Sequence, residues 1–367
     1  MKSTSIKPES QGKPARLSRR DFITATGLSL TAVPHLHAET AAVSIIDCQS
    51  HLFCPDLVAL MEQRATGRIE PFVERRNGMR VLVMGEWLRK VPDEYFSVDA
   101  KLAAMDSSGI ALTALSVNDP GPEWFGERGS EVAVMLNDFI AGIVRQHPAR
   151  FFGLCVLPWQ DVDASVRELD RCVKQLGMKG LLLYTNLMGR FPDEPQFRPV
   201  LAHAAALGVP VLLHPAKPLT IDYVKGYEMT SSLGNMFDNT IALTRLIMSG
   251  VLDELPDLKL VCPHLGGTLP YIIGRLDHQT QVLKRGPKNL TRAPSEYLKQ
   301  VWLDIVSPLP LAMKFALEFM GPNKLLFSSD HPWVDPKVIL AALRSLKLPP
   351  VDEAKILGGN ARKLFGI

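Results

Sequence analysis

The 367-residue sequence lacks a long hydrophobic run, a CxxC pair, a GxGxxG turn and an excess of charge of one sign. Each absence removes a class of protein. Its apolar runs are short and broken by Pro, Gly and charged residues, so no membrane span is expected. The five cysteines (48, 54, 155, 172, 262) are odd in number and scattered, which excludes a disulfide framework and a CxxC redox pair. Cys48 and Cys54 could pair in an oxidising compartment, but small buried thiols are the simpler reading. Without GxGxxG after the first strand-like run, the usual dinucleotide fingerprint is missing. The formal charge of +3 is concentrated at the start: residues 1–38 hold six of the 41 Lys and Arg and two of the 38 Asp and Glu. The remaining 35 basic and 36 acidic residues nearly cancel, so charge implies no nucleic-acid partner. With 46% hydrophobic residues the chain is too apolar for disorder.

What is present begins with that basic leader. Ser18-Arg19-Arg20 precedes the modest apolar stretch FITATGLSLTAV and then LHA. This is the layout of a twin-arginine export signal over residues 1–38, and it predicts a periplasmic protein whose mature chain is residues 39–367.

Along that chain, short β-branched runs recur: VSIID (43–47), ALTALSV (111–117), FFGLCVLP (151–158), GLLLYT (180–185), VPVLLHP (209–215), KLVCPH (259–264), VWLDIV (301–306) and LLFSSD (325–330). They do not alternate cleanly, as expected of strands buried on both faces. Helical patterns lie between most of them, at 163–177, 197–208 and 240–255, with Gly177 and Gly208 at the expected helix ends. Eight such strands predict a (β/α)8 barrel, with a doubly wound open sheet as the alternative. Residues 54–98 are too long for a loop. They carry FVERRNGMRVLVMGEW, whose Asn77-Gly78 suggests a hairpin, and read as an insertion over the barrel mouth. Its Arg75, Arg76 and Arg80 face either substrate or solvent.

Four histidines, His51, His214, His264 and His331, fall at or just beyond predicted strand ends, and Asp330 joins them. In a barrel those ends share one face, where imidazoles and a carboxylate suit a borderline divalent ion such as zinc. His331 follows Asp330 and is expected to point the other way. Tyr184, Asn186 and Trp333 either line the pocket or pack.

The phrases MKGLLLYTNLMGR, FRPVLAHAAALGVPVLLHP, LTRLIMSGVLDELPDLKLVCPHLGGTLPYIIGRLD and NKLLFSSDHP resemble those of the amidohydrolase-related decarboxylases. That family includes carboxymuconate-semialdehyde, resorcylate and carboxyvanillate decarboxylases. The resemblance spans roughly residues 44–366, and it implies a (β/α)8 barrel with one divalent metal, zinc or manganese. It places Gln49 and His51 at the two metal positions of the first strand, with His214 and Asp330 completing the set. It gives His264 of H-x-G-G acid–base or electrostatic work. It matches Arg275 to an arginine that binds substrate carboxylate from a neighbouring subunit, which implies a homodimer. Gln49 departs from the family's His or Glu. It ligates weakly, or leaves metal loosely held, or marks a metal-free acid–base cluster.

The reaction expected is non-oxidative decarboxylation of a small aromatic or unsaturated carboxylate, with Asp330 and His264 as the proton-handling candidates. The rivals are hydrolysis of a small lactone, ester or amide, and ligand binding without turnover.

Overall fold

The computed structural model describes residues 44–367, so the expected leader lies outside the described residues. The strands are β1 (Ile45–Leu52), β2 (Phe72–Arg76), β3 (Met79–Met84), β4 (Trp87–Lys90), β5 (Ile110–Val117), β6 (Phe151–Cys155), β7 (Gly180–Tyr184), β8 (Val211–His214), β9 (Leu260–Cys262), β10 (Trp302–Asp304) and β11 (Leu325–Leu326). Eight of them pair in parallel in the order β1-β5-β6-β7-β8-β9-β10-β11. The sheet closes on itself through backbone bonds between β1 and the chain just after β11: Cys48 N to Phe327 O (3.0 Å), Asp330 N to Gln49 O (3.0 Å) and His51 N to His331 O (2.8 Å). This is the expected (β/α)8 barrel, not an open sheet.

The unbroken apolar runs have a direct cause. Strands β1, β6, β7 and β8 are buried at every residue, with one face toward the barrel axis and the other under the helices. Burying each Leu, Ile or Phe there contributes about 1.5–3 kcal/mol. The helices Val162–Lys174 and Arg198–Ala206 fill two of the expected helical stretches. Gly177 and Gly208 follow them with φ of 70° and 67°, the left-handed turn that lets the chain fold back to the sheet. The pattern at 240–255 forms two helices rather than one, Asn235–Met248 and Val251–Glu254. Gly250, at φ 82°, ends the first.

The insertion carries a helix, Pro55–Arg64, and a three-stranded antiparallel sheet, β2-β3-β4. Asn77 and Gly78, at φ 50° and 80°, make the expected tight turn between β2 and β3. The third strand, β4, was not foreseen, and it carries Trp87 and Arg89. All five cysteines are buried and unpaired.

Candidate metal centre

His51 and His214 reach the same point from β1 and β8, and their Nε2 atoms lie 3.0 Å apart. Asp330 Oδ1 stands 3.2 Å from His51 Nε2 and 3.9 Å from His214 Nε2. The three donor atoms all lie within 4.8 Å of one another. What sits behind the rings decides which nitrogen is bare. His214 Nδ1 donates to the Pro215 carbonyl (2.8 Å), which leaves Nε2 without a proton. His51 Nδ1 is 2.8 Å from Ser116 Oγ, and that hydroxyl itself donates to Ser50 O (3.4 Å), so His51 also presents a bare Nε2. Two nitrogen lone pairs and a carboxylate oxygen therefore converge. That donor set repels itself until a cation neutralises it, and two nitrogens with one oxygen suit a borderline divalent ion.

The electrostatics run the same way. Burial, then the neighbouring His214, pushes the His51 imidazole down to about 4, so it stays neutral and able to ligate. Burial alone would raise Asp330, but the neighbouring His214, His264 and His51 imidazoles outweigh it and hold the carboxyl well below its ordinary value.

Gln49 stands beside this set, its Nε2 donating to Asp330 Oδ1 at 3.2 Å. In this arrangement the glutamine orients the carboxylate. His264 approaches from just beyond β9, with Nε2 3.6 Å from Asp330 Oδ2. Burial works against its charge, but Asp330 and Asp304 outweigh burial and raise the imidazole. Its Nδ1 lies 3.0 Å from Asn239 Nδ2. The Asn239 amide oxygen has no partner among the described residues, and with the amide turned over it accepts from Nδ1–H when the ring is charged.

The H-x-G-G motif is explained by its backbone. His264, Leu265, Gly266 and Gly267 run at φ 54°, 57°, 76° and 64°, a left-handed stretch that costs free energy at the two non-glycine positions. A Cβ on Gly267 would lie 2.4 Å from Met236 O, so only glycine fits there. Asp330 is left-handed too, at φ 61°. Strain thus gathers at the two residues expected to handle protons.

Behind the centre lies a second buried charge cluster. Lys101 Nζ bonds Ser50 Oγ (2.7 Å), His331 Nδ1 (2.6 Å) and His331 O (2.9 Å). Burial pulls this lysine down to about 7, while Asp47 and Asp330 oppose the fall. His331 therefore turns away from the other three histidines, as expected.

A cavity of about 230 Å³ opens above the centre, with His214, His264 and Asp330 on its floor and Trp87, Arg89, Asp119, Asn235 and Trp333 in its walls. Trp333 lines it; Asn186 instead bonds Asp238 (2.8 Å), and Tyr184 packs edge-on against His214. Arg75 and Arg76 bond within the hairpin, and Arg80 pairs with Glu62 and Asp93, so none of the three lines the cavity. Arg275 is exposed on the helix Leu269–Asp277 and does not line the cavity of its own chain. Arg89 was missed by the sequence reading. Its signal was Trp87-x-Arg89, two positions on one face of a short strand whose odd positions are buried.

Barrel, strand-end histidines and aspartate together define a metal-dependent barrel enzyme. Residues 46–367 match the amidohydrolase family model. The chain belongs to the amidohydrolase family. It is 28% identical over 300 residues to 2-amino-3-carboxymuconate-6-semialdehyde decarboxylase of Dictyostelium discoideum, covering 78% of this chain and 82% of the relative. It is 31% identical to a gamma-resorcylate decarboxylase of Polaromonas sp., covering 73% and 86%. A solved dihydroxybenzoic acid decarboxylase of Polaromonas, with bound manganese and the inhibitor 2-nitroresorcinol, superimposes with a TM-score of 0.73 at 26% identity, covering 88% of this chain and 97% of that one.

Proposed function

We propose that this protein is a metal-dependent, non-oxidative decarboxylase of a small hydroxylated aromatic carboxylate. The observation that carries the proposal is the convergence of His51, His214 and Asp330, with their bare donor atoms turned to one point below a ring-sized cavity. Decarboxylases among the relatives support it.

His51, His214 and Asp330 would hold the metal. Gln49 contributes by orienting Asp330 through its Nε2 donor or, with its amide turned over, by offering its oxygen instead as a weak ligand. When held there, a zinc or manganese ion would supply Lewis-acid polarisation of a substrate oxygen. Manganese is favoured over zinc by the manganese-bound relative. Trp87 and Trp333 enclose the ring and exclude water. His264, raised by Asp330 and Asp304, holds a proton on Nε2, which lies 3.6 Å from Asp330 Oδ2, and delivers it to the ring carbon as CO2 departs. The C–CO2 bond breaks, its electron pair stays on the ring carbon, and the His264 proton forms the new C–H bond. Asp330 steers that proton.

Export by the twin-arginine route, and a homodimer in which Arg275 reaches the neighbouring site, complete the reading. The test is CO2 release from hydroxybenzoates by protein loaded with manganese or zinc. Release that stops on chelation and returns with metal supports the proposal. Ring opening of lactones without CO2 release would move the assignment to hydrolysis, and ligand binding with neither reaction would make the barrel a binder.

A further inference from the structure

Among the described residues, Arg89 is the one arginine or lysine lining the cavity, and its charge is already taken. Its Nη1 donates to Asp119 Oδ1 at 2.5 Å and its Nη2 to Asn118 Oδ1 at 3.1 Å. The pair is almost fully enclosed, with 9% and 3% of the two side chains exposed. The guanidinium carbon lies 4.6 Å from the Trp87 ring centre and 4.2 Å from that of Trp333, so the tryptophans fix it in place. Rings and acceptors together leave Arg89 little freedom to turn toward a substrate anion.

The same wall is short of donors. Asp119 Oδ2 and Asn235 Oδ1 are buried and have no partner among the described residues. An orphaned buried acceptor costs free energy until a donor meets it. A substrate hydroxyl or amino group supplies that donor. A second substrate carboxylate would instead meet the Asp119 carboxylate at close range, with Arg89 already neutralised.

We infer that Asp119 sets substrate specificity, so that the cavity takes an aromatic acid with a single carboxylate and a hydroxyl or amino group, and rejects a dicarboxylate. This deepens the decarboxylase reading and rests on it for the identity of the reacting carboxylate. It also divides the family resemblances. Carboxymuconate and carboxyvanillate substrates carry two carboxylates, whereas resorcylate carries one and two hydroxyls.

The test uses matched pairs of rings on metal-loaded protein: salicylate against phthalate, 3-hydroxybenzoate against isophthalate, and 4-hydroxybenzoate against terephthalate. Dissociation constants come from quenching of tryptophan fluorescence, with calorimetry as a check. Wild type is expected to bind the hydroxy acid at least about tenfold more tightly in one or more pairs, and Asp119→Asn to shrink that ratio about tenfold or invert it. Because the readout is a ratio within one protein, a partly unfolded variant does not imitate it. Wild type that binds the dicarboxylates as tightly, or a ratio unmoved in Asp119→Asn, overturns the inference. CO2 release is followed in the same samples. Hydroxy-acid preference without CO2 supports the specificity role of Asp119 and overturns the decarboxylase reading, and binding of neither series overturns both.

Discussion

Gln49 is a neutral residue at a point where two imidazoles and a carboxylate already meet, and its amide lies 3.2 Å from Asp330 Oδ1. Replacing it with glutamate puts two carboxylates against each other. Without metal they repel; with metal both can bind it. Gln49→Glu should therefore lower the Tm of the metal-free protein and tighten manganese binding about tenfold, read by competition with a chelator. His264 tests the division of labour. His264→Asn should leave metal content unchanged by mass spectrometry and cut kcat by about 10²–10⁴, the usual worth of a general acid. The metal-facing residues were legible because each is a polar residue ending an apolar run. Arg89, Asp119 and Asn235 were not: Arg89 lies on a strand too short to display its alternation, Asp119 lies in the loop after β5, and Asn235 opens a helix whose direction is set by packing.

At the scale of elements, Lys101 ties the helix Val98–Ser108 to β1 and to the chain after β11, where the barrel closes. Its ammonium is buried against Ser50, His331 and the charge of Asp47. Truncation removes the compensating charge and leaves Asp47 only its hydrogen bonds from Ser329 and the Gln49 N–H. Lys101→Ala should cost about 3–5 kcal/mol in urea unfolding, in line with breaking a buried charge cluster. The insertion shows how far local pattern reaches. Asn77-Gly78 announced the turn, because only residues tolerant of positive φ sit there. The strand after that hairpin, β4, was hidden, because four residues are too few to display a period.

For the whole molecule, the group that titrates most tellingly is Glu123. Both its carboxylate oxygens lack partners among the described residues, and burial pushes the carboxyl from 4.5 to about 8. Between those values the folded chain keeps a proton that the unfolded chain has lost. Stability from this group is full below about pH 4.5, falls as pH rises to about 8, and is level beyond. Glu123→Gln should match wild type near pH 5 and exceed it in Tm by a few degrees at pH 8, read by thermal unfolding. Metal acts on the same scale: because it binds only the assembled site, Tm should rise with manganese concentration and drop on chelation.

Alone, the sequence determined the barrel, the insertion and the strand-end polar residues, since each rests on a local rule: continuous apolar runs make strands buried on both faces, and a polar residue at the end of such a run faces the barrel mouth; the family resemblance then singled out His51, His214 and Asp330 among them. Tertiary structure decided the rest. The 3.0 Å approach of two bare nitrogens, the orientation of Asp330 by Gln49 and the pairing of Arg89 with Asp119 join residues far apart in the chain. Their geometry is set by closure of the barrel and by the packing of the insertion over its mouth.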